Sequence, residues 1–205
     1  MTAANCYPRR FRHHAVAVKV ASSLEDMMQV VAIRAAVYMA EQNCPYAEEF
    51  DGNDFTATHI LALADGEPAG CIRLRYFADF VKYERVTVRR EYRSSNLSDE
   101  MIRFSLEVIR RKGFRTVYGH AAKNLVRYWQ RWGFRPSNES IRFSGHDFVP
   151  VVLQLEPEDN ALTLESGHMV LNRPEGDWDR PGILEVSAER EFTPAAAEHG
   201  IARAA

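Results

Sequence analysis

Apolar residues recur with two different periods along most of this chain, and the two periods alternate. Six runs have the short, alternating or continuous apolar pattern typical of strands: 15–21, 58–64, 69–77, 83–88, 115–119 and 147–156. Three stretches place apolar residues at helical spacing: 22–38, 98–112 and 124–132. The resulting order, β-α-β-β-β-α-β-α-β, predicts an α/β protein with a mixed sheet that carries helices on its faces.

Local signals mark where several of these elements begin and end. Ser22 and Glu25 have the spacing of a capping box at the start of the first helix. Asp65-Gly66-Glu67-Pro68, between the second and third strands, predicts a tight hairpin. The second helix ends in Arg110-Arg111-Lys112, followed by Gly113 at a position where a left-handed cap is needed.

The pattern changes after Glu156, where prolines and acidic residues become frequent. Two strand-like runs, 161–171 and 183–187, lie in a segment that is too short for a core of its own. We therefore predict a folded domain over 15–156 and an arm over 157–193, which packs on its own domain or forms a homodimer. The flanking residues are expected to be flexible or disordered: 1–14 and 194–205.

The composition is that of an ordinary globular protein, with 205 residues, 46% apolar, 26% charged and a formal net charge of −2. This balance of charge gives no basic field for nucleic acid. No apolar run reaches the roughly 18 to 20 residues that would span a membrane. The basic N-terminal segment has no apolar core, so a signal peptide is not expected. We therefore expect a cytoplasmic protein that binds neither nucleic acid nor membrane.

The cysteines and the paired histidines give no sign of a metal centre. Cys6, Cys44 and Cys71 are odd in number and form no close ligand pair. Such spacing indicates free thiols in a reducing cytoplasm rather than a disulfide framework or a zinc site. His13-His14 could bind metal adventitiously, but a frayed basic terminus is the favoured interpretation. No metal cofactor is expected.

The stretch VTVRREYRSSNLSDEM (86–101) runs from a strand into a helix through small, polar and basic residues. Backbone amides at the start of a helix lack partners within the helix and can bind anions. Small side chains let a phosphate approach these amides, and Asn96 belongs to the non-glycine type that best tolerates a left-handed backbone. Arg89, Arg90 and Arg93 add charge suited to phosphates. Taken alone, the stretch is more typical of a capped helix start than of a phosphate site.

The succession RVTVRREYRSSNLSDEM…HAAKNLVRYWQRWGF resembles the core of the GNAT acetyltransferase superfamily. In that family a strand leads into an R/Q-x-x-G-x-G/A turn, and a later helix ends in Gly-Phe. Arg93, Asn96 and Ser98 occupy the three motif positions of the turn, and Gly133-Phe134 match the ending. Upstream, VYMAEQNCPYAEEFDGNDFTATHILA resembles the longer signature of the ElaA branch. The two matches cover residues 16–155.

The resemblance implies a GNAT acyl-CoA N-acyltransferase fold, whose sheet splays between its fourth and fifth strands to admit acetyl-CoA. Main-chain groups of Val86 and Val88 would pair with the pantetheine arm like an added strand. The free N–H of Val88 would also polarise the thioester carbonyl. The pyrophosphate would lie on the amides of the turn. The remaining coenzyme-binding residues that the resemblance implies are Arg93, Ser94, Ser95, Asn96, Leu97, Ser98 and Asn124.

Acetyl transfer to an amine requires a base for the amine proton and an acid for the departing thiolate. Glu84 lies two residues before Val86 and could act as the base, or could form only a salt bridge with an arginine. His120, just past the fifth strand, is a second candidate base, with a structural role as the alternative. As the acid, many family members use a tyrosine four residues before the glycine of the Gly-Phe ending. Here Trp129 holds that position and Tyr128 precedes it, so Tyr128 is the candidate acid.

An acidic loop lies beside the expected acceptor mouth. Its carboxylates surround Cys44-Pro45 and are Glu41, Glu48, Glu49, Asp51 and Asp54. Such a cluster would attract a cationic amine, for example a polyamine, an amino sugar, a lysine or an aminoacyl group. The alternative is that the aspartates cap turns and the glutamates are solvated. The expected partner is a small-molecule or peptide amine.

Two other functions are compatible with the sequence. An acyl-homoserine-lactone synthase shares this fold, and its pattern of charges is echoed by Arg34, Glu49, Asp51, Asp54 and Arg73. That activity requires S-adenosylmethionine and acyl carrier protein. The second alternative is a non-catalytic acyl-CoA-binding module, because the turn lacks its glycines and the usual tyrosine is replaced. Coenzyme binding without turnover on any amine would favour that module.

Overall fold

A computed structural model describes residues 13–143 and 145–191. The eight strands of these residues are β1 (Val16–Val20), β2 (Thr58–Ala64), β3 (Glu67–Tyr76), β4 (Val81–Val88), β5 (Thr116–Ala122), β6 (Arg135–Pro136), β7 (Ile141–Phe143) and β8 (His146–Gln154). The helices are α1 (Leu24–Arg34), a π-helical segment (Ala35–Glu41), α2 (Tyr46–Glu49), α3 (Leu97–Arg111), α4 (Val126–Arg131), α5 (His168–Leu171) and α6 (Ile183–Ala188). Short 3₁₀ turns cover Asp54–Thr56, Arg90–Tyr92, Lys123–Leu125 and Leu164–Ser166.

All eight strands belong to one mixed sheet with the order β1-β2-β3-β4-β5-β8-β6, and β7 pairs with β8 at one end. Every pairing is antiparallel except that of β4 with β5. The predicted α/β fold class with a splayed mixed sheet is therefore confirmed. The short strands β6 and β7 were not predicted from the sequence.

The core lies between the sheet and its two longest helices. Strand β2 is buried along nearly its whole length, which explains its continuous apolar run. Helix α3 buries one face through Met101, Ile102 and Ile109, and it ends at Gly113, whose φ of 80° confirms the predicted left-handed cap. The hairpin at Asp65-Gly66 is also confirmed, since both residues have positive φ.

Helix α1 begins one residue later than the capping-box pattern indicated. The N-cap is Ser23 rather than Ser22, and its side chain accepts a hydrogen bond from the amide of Asp26 at 3.1 Å. The carboxylate of Asp26 accepts in turn from the amide of Ser22 at 3.0 Å. A capping box would need that second bond to come from the amide of the N-cap Ser23, so the predicted capping box of Ser22 and Glu25 is not formed, and Asp26 binds the residue before the N-cap instead.

The chain divides into two compact units, with the boundary between Leu162 and Thr163. The strand-like runs predicted at 161–171 and 183–187 are wrong, because these residues form the short helices α5 and α6. In this second unit Arg173 binds the carboxylate of Glu185 and the main-chain oxygen of Trp178. The predicted flexible ends fall almost entirely outside the described residues: 1–14 and 194–205.

Within the described residues, no helix is long and apolar enough to cross a membrane. In the same part of the chain, no group of three or more His, Cys, Asp or Glu side chains is arranged to hold a metal ion.

Candidate active site

The sheet opens between its two central strands. Strands β4 and β5 are paired in parallel only from Val81 opposite Val117 to Tyr83 opposite Gly119. A Cβ atom on Gly119 would lie 3.0 Å from the main-chain oxygen of Tyr83, so a side chain at this position would crowd the neighbouring strand. No pairing with β5 is seen beyond Tyr83, and the rest of β4 borders an opening in the sheet.

A β-bulge lies in β4 at this opening. Arg73 on β3 pairs with Glu84, and Cys71 pairs with Thr87. Between these two pairs β4 therefore contains one residue more than β3. Arg85 takes up the extra residue with a φ of 54°, which is uncommon for a non-glycine residue. The bulge bends the strand and re-aims its side chains beside the opening.

A cavity of about 1320 Å³ occupies the opening between the strands. It is bounded by β4 and β5, the π-helical segment, the loop before α2, α4 and the β7–β8 hairpin. Its lining includes Tyr38, Glu84, Val86, His120, Asn124 and Trp129. A volume of this size exceeds that of an ordinary small-ligand pocket and suits a long ligand together with a second substrate.

The turn that leads from β4 to α3 is formed differently from its sequence prediction. The left-handed residue is Ser94, with a φ of 65°, and Asn96 has right-handed helical values. The hydroxyl of Ser95 donates to the oxygen of Tyr92 at 2.7 Å and accepts from the amide of Leu97 at 3.3 Å. The next two amides, those of Ser98 and Asp99, have no acceptor within the helix, whereas the amide of Glu100 bonds to the oxygen of Asn96 at 3.1 Å.

Arg93 is held against the end of β4. Its Nε donates to the main-chain oxygen of Val88 at 2.9 Å, and its Nη2 lies 2.7 Å from Oε2 of Glu41. These bonds tie the turn to the strand and to the π-helical segment. About a third of the Arg93 side chain remains exposed, so the guanidinium can still contact an anion.

The acidic loop packs its carboxylates against arginines in the interior. Arg34 is fully buried and pairs with Glu49 and with Asp54, each at an N···O distance of 2.5 Å. Arg73, also fully buried, pairs with Asp51 at 2.7 Å and with Asp54 at 2.9 Å. The alternative that Glu48 and Glu49 are solvated does not hold for the buried Glu49, and the aspartates do more than cap turns.

The arginines of this network fix the protonation of its two aspartates. Burial alone would raise the pKa of Asp51, but hydrogen bonds and charge from Arg73 outweigh it and hold that pKa well below its usual range. Asp54 follows the same pattern, with Arg34 and Arg73 as its partners. Both aspartates therefore remain ionised throughout the physiological range of pH.

Glu84 lies at the mouth of the opening and is paired with cations. Its Oε1 accepts from Nε of Arg73 at 3.1 Å, and its Oε2 lies 3.1 Å from Nζ of Lys82. The salt bridge with an arginine that the sequence left as one alternative is thus present. These ion pairs hold the carboxylate beside the cavity that Glu84 lines.

His120 lies within β5 rather than just past its end, because the strand extends to Ala122. Its Nε2 is 2.9 Å from the hydroxyl of Tyr118, two residues away on the same face of the strand. Burial, assisted by the charge of Lys82, lowers the pKa of His120. The imidazole is therefore neutral at physiological pH and able to accept a proton.

The structure does not bring Tyr128 together with Glu84 and His120. The Tyr128 hydroxyl lies 3.5 Å from Oδ1 of Asp99 in the first turn of α3, and the residue is not part of the cavity lining. Trp129 does line the cavity, and its ring meets those of Tyr83 and Phe134 edge-on. The position that holds a tyrosine in many family members thus forms part of the cavity wall here.

A family model for the GNAT acetyltransferase domain matches residues 27–155, which is more than half of the chain. The chain belongs to the GNAT acetyltransferase family. The predicted resemblance is thereby confirmed, and the protein is an enzyme of the acyltransferase class.

Relatives of known name support the assignment to this family. A Bacillus subtilis (strain 168) protein whose name provisionally describes it as an acetyltransferase is 28% identical over 148 residues, covering 71% of this chain and 99% of that protein. Protein ElaA of Escherichia coli (strain K12) is 28% identical over 129 residues, covering 60% of this chain and 84% of ElaA. The predicted relationship to ElaA is thus confirmed.

Solved structures show the same GNAT fold. The crystal structure of Escherichia coli ElaA superposes with a TM-score of 0.62 at 24% identity, over 68% of this chain and 99% of that one. A Bacillus subtilis acetyltransferase solved in complex with CoA superposes with a TM-score of 0.54 at 16% identity, over 69% of this chain and 99% of that one. At such identities the likeness establishes the fold alone.

Several residues of this GNAT site were missed by the sequence reasoning. Tyr38 is partly buried in the cavity wall, and its hydroxyl donates to the main-chain oxygen of Val86 at 3.2 Å. Tyr118 fixes His120, and Arg85 forms the bulge. The spacing of Tyr118 and His120 on one strand face could have indicated their contact. No local signal identifies Tyr38 or the bulge.

Cys44 lines the cavity but is not an activated nucleophile. Burial, together with the negative charges of Glu49 and Glu48, raises the pKa of its thiol. Among the described residues no histidine is bonded to it, and its Sγ lies 3.7 Å from the oxygen of Pro45. This finding favours direct transfer between bound substrates over a route through an acetylated cysteine.

Proposed function

We propose that the protein transfers the acetyl group of acetyl-CoA to a primary amine by direct attack of the amine nitrogen on the thioester carbonyl. The observation that carries this proposal is the opening beyond Tyr83 and Gly119, where the edge of β4 borders a large cavity beside His120. As the new C–N bond forms, the C–S bond of the thioester breaks and the amine loses a proton. The neutral imidazole of His120 is available to accept it.

The residues present fit acetyl-CoA, which would supply an activated acetyl thioester. Val86 and Val88 offer main-chain groups on the unpaired part of β4 for the pantetheine arm. The start of α3 offers the amides of Ser98 and Asp99 and the positive end of a 15-residue helix to the pyrophosphate. Further binding residues that we propose in this region are Arg93, Ser94, Ser95, Asn96, Leu97 and Asn124.

We propose His120 as the group that deprotonates the amine, directly or through water. If the Nε2–H of His120 donates a hydrogen bond to the Tyr118 oxygen, the lone pair on Nδ1 is free to accept the proton of the substrate. Glu84 would assist from the same cavity, as a second base through water or by holding the departing charge near His120. Tyr128 stays a predicted acid for the thiolate, from a position beside Asp99.

A screen of primary amines with acetyl-CoA tests this function. The release of free thiol would be followed with time, and mass spectrometry would identify any product that has gained one acetyl group. We expect acetylation of at least one amine, with loss of most of the rate in His120→Gln. Thiol release without any acetylated amine, or coenzyme binding with no turnover at all, would refute the proposal.

The lactone-synthase alternative is supported by one observation. The five charged residues that echo its pattern meet in the buried network: Arg34, Glu49, Asp51, Asp54 and Arg73. Their burial also explains them as a scaffold for the loop, without any role in lactone formation. Incubation with acyl carrier protein charged with an acyl chain and S-adenosylmethionine would produce a lactone only if the alternative holds.

We also propose a cytoplasmic location and a homodimer. Cys44 and Cys71 are unpaired thiols, as a reducing compartment favours. The second unit exposes large apolar side chains on its short helices, including Ile183 and Val186. Exposed apolar surface of this kind is typical of contacts between subunits.

A further inference from the structure

A pair of stacked phenylalanines lines one end of the cavity. The rings of Phe143 and Phe148 lie 4.2 Å apart and are inclined by only 3°. Phe143 is nevertheless 43% exposed, although burial of its ring in the core would be favourable. An aromatic side chain that is held by stacking but left open toward a cavity offers a face for another ring.

Strand register brings this pair to the proposed base. Phe148 on β8 pairs with Ala122, and Pro150 pairs with His120, so Phe148 and His120 lie on the same face of the sheet. The His120 and Phe143 rings are 6.0 Å apart between centroids. A ligand ring on the phenylalanines would therefore leave an attached short chain within reach of the imidazole.

The opposite wall carries charge, but most of that charge is neutralised within the protein. Glu49 is paired with Arg34 and Arg85, Asp51 with Arg73, and Glu84 with Arg73 and Lys82. The wall can therefore tolerate one ammonium group without acting as a strongly acidic patch.

Three cations also line the cavity: Lys82, Arg85 and Lys123. Lys82 and Arg85 are paired with Glu84 and Glu49, so they balance that wall rather than add free positive charge. At the aromatic end the carboxylate of Asp147 is paired with Arg142, and the phenylalanine rings present the apolar surface. An amine with a single charge and a flat apolar body matches both walls.

We infer that the acceptor is a small arylalkylamine. Its ring contacts Phe143 and Phe148, and its two- or three-carbon chain carries the amine to His120. This inference rests on the proposed function, because the amine attacks the thioester in the same cavity. The nitrogen gains the acetyl carbon, the C–S bond breaks, the amine proton goes to His120, and the CoA thiolate takes up a proton.

Binding measured by calorimetry tests the inference independently of turnover. The full chain, with and without CoA, would be titrated with 2-phenylethylamine, with 2-cyclohexylethylamine and with spermidine. We expect 2-phenylethylamine to bind most tightly of the three. Phe143→Ala, a change at an exposed position, should weaken its binding about tenfold, as the loss of an aromatic contact predicts.

Phe55→Ala is the matched control, because Phe55 is fully exposed and lies outside the cavity lining. It should leave the affinity for 2-phenylethylamine unchanged. Tighter binding of spermidine, equal binding of the cyclohexyl amine, or full affinity in Phe143→Ala would overturn the inference. Binding of a peptide with an N-terminal phenylalanine in place of the small amine would overturn it as well.

The same titrations separate this inference from the proposed function. If 2-phenylethylamine binds with the expected dependence on Phe143 but is never acetylated, the aryl site stands and the proposed transfer falls. If spermidine or an amino sugar is acetylated while 2-phenylethylamine neither binds nor reacts, the transfer stands and the aryl site falls.

Discussion

The Nε atom of Arg34 lies 2.5 Å from Oε1 of Glu49, and both side chains are closed to solvent, with 0% and 1% exposed. The same guanidinium donates to the main-chain oxygen of Glu49 at 2.7 Å. Arg34 thus ties helix α1 to the end of α2, which forms part of the cavity wall. Two neighbouring arginines, Arg73 and Arg85, complete the positive half of this network.

Glu49→Gln should destabilise the fold strongly. The change removes a buried negative charge and leaves Arg34 and Arg85 without their shared partner. Loss of one member of a buried pair typically costs about 3 to 5 kcal/mol in the free energy of unfolding. Urea denaturation would measure it. As the control, Glu91→Gln breaks an exposed pair with Arg89 and should cost less than about 1 kcal/mol. Equal losses in the two variants would contradict the structural role of the network.

The rate of acetylation should depend on the protonation of His120. Burial and the charge of Lys82 lower the pKa of this histidine. His120 therefore becomes protonated, and stops acting as a base, only at a pH below the ordinary histidine pKa of about 6.5. We expect kcat/KM to rise with pH through this acidic limb and then level off until the acceptor amine itself titrates. His120→Gln should lack the limb, whereas His168→Gln, at an exposed position in α5, should keep it. An unchanged limb in His120→Gln would assign it to another group.

Ser98→Glu should weaken the binding of acetyl-CoA. The substitution places a carboxylate and a longer side chain in the first turn of α3, where we propose the pyrophosphate lies. Loss of one charge-assisted contact and the added repulsion predict a fall in affinity of about tenfold or more. Calorimetry with CoA would measure it. Ser22→Glu makes the same chemical change at an exposed site before α1 and should bind normally. Unaltered affinity in Ser98→Glu would remove the coenzyme from this turn.

Tyr128→Phe tests whether the Tyr128 hydroxyl is the general acid or only contacts the coenzyme. If Tyr128 protonates the thiolate, kcat should fall by about 10²- to 10⁴-fold, while the affinity for acetyl-CoA stays nearly intact. Steady-state kinetics on the true acceptor would give both quantities. A variant that keeps most of its kcat would leave the proton to solvent. A rise confined to the KM for acetyl-CoA would place the hydroxyl beside the coenzyme, near Asp99.

Removal of residues 163–205 should lower the mass of the particle in solution. The second unit begins at Thr163 and exposes Leu164 at 89% and Ile183 at 70%, so it offers apolar surface for a second copy. Light scattering should show a dimer for the full chain and a monomer for the truncated one. The full-length Ile183→Glu variant should also dissociate. A full chain that is already monomeric would end the homodimer proposal.

Much of the fold was determined by local sequence. Alternating and helical apolar periods located the main strands and helices, because each period matches the geometry of one backbone conformation. Asp65-Gly66 and Gly113 marked a hairpin and a helix end, since both places require positive φ. Small residues before α3 and the Gly133-Phe134 ending were sufficient to suggest the family.

Other features were decided by tertiary structure alone. The five charges of the acidic loop and its arginine partners are spread over residues 34–73, and only the folded sheet makes them a buried network. Ser94 rather than Asn96 takes the left-handed conformation, and with Ser95 bonded to Tyr92, Asn96 becomes the N-cap of α3 with right-handed values. In the second unit, apolar runs of fewer than a dozen residues carry too little periodicity to separate strand from helix.

The candidate active site, too, was predicted only in part from the sequence. Sequence alone placed Glu84 on a strand and His120 near another, because these assignments depend on spacing within one element. Their meeting beside one cavity depends on where β4 and β5 separate, and the close contact of Gly119 with Tyr83 sets that point. The bulge at Arg85, the bond from Tyr38 to Val86 and the stacked Phe143 and Phe148 arise from contacts between distant segments, which no local pattern encodes.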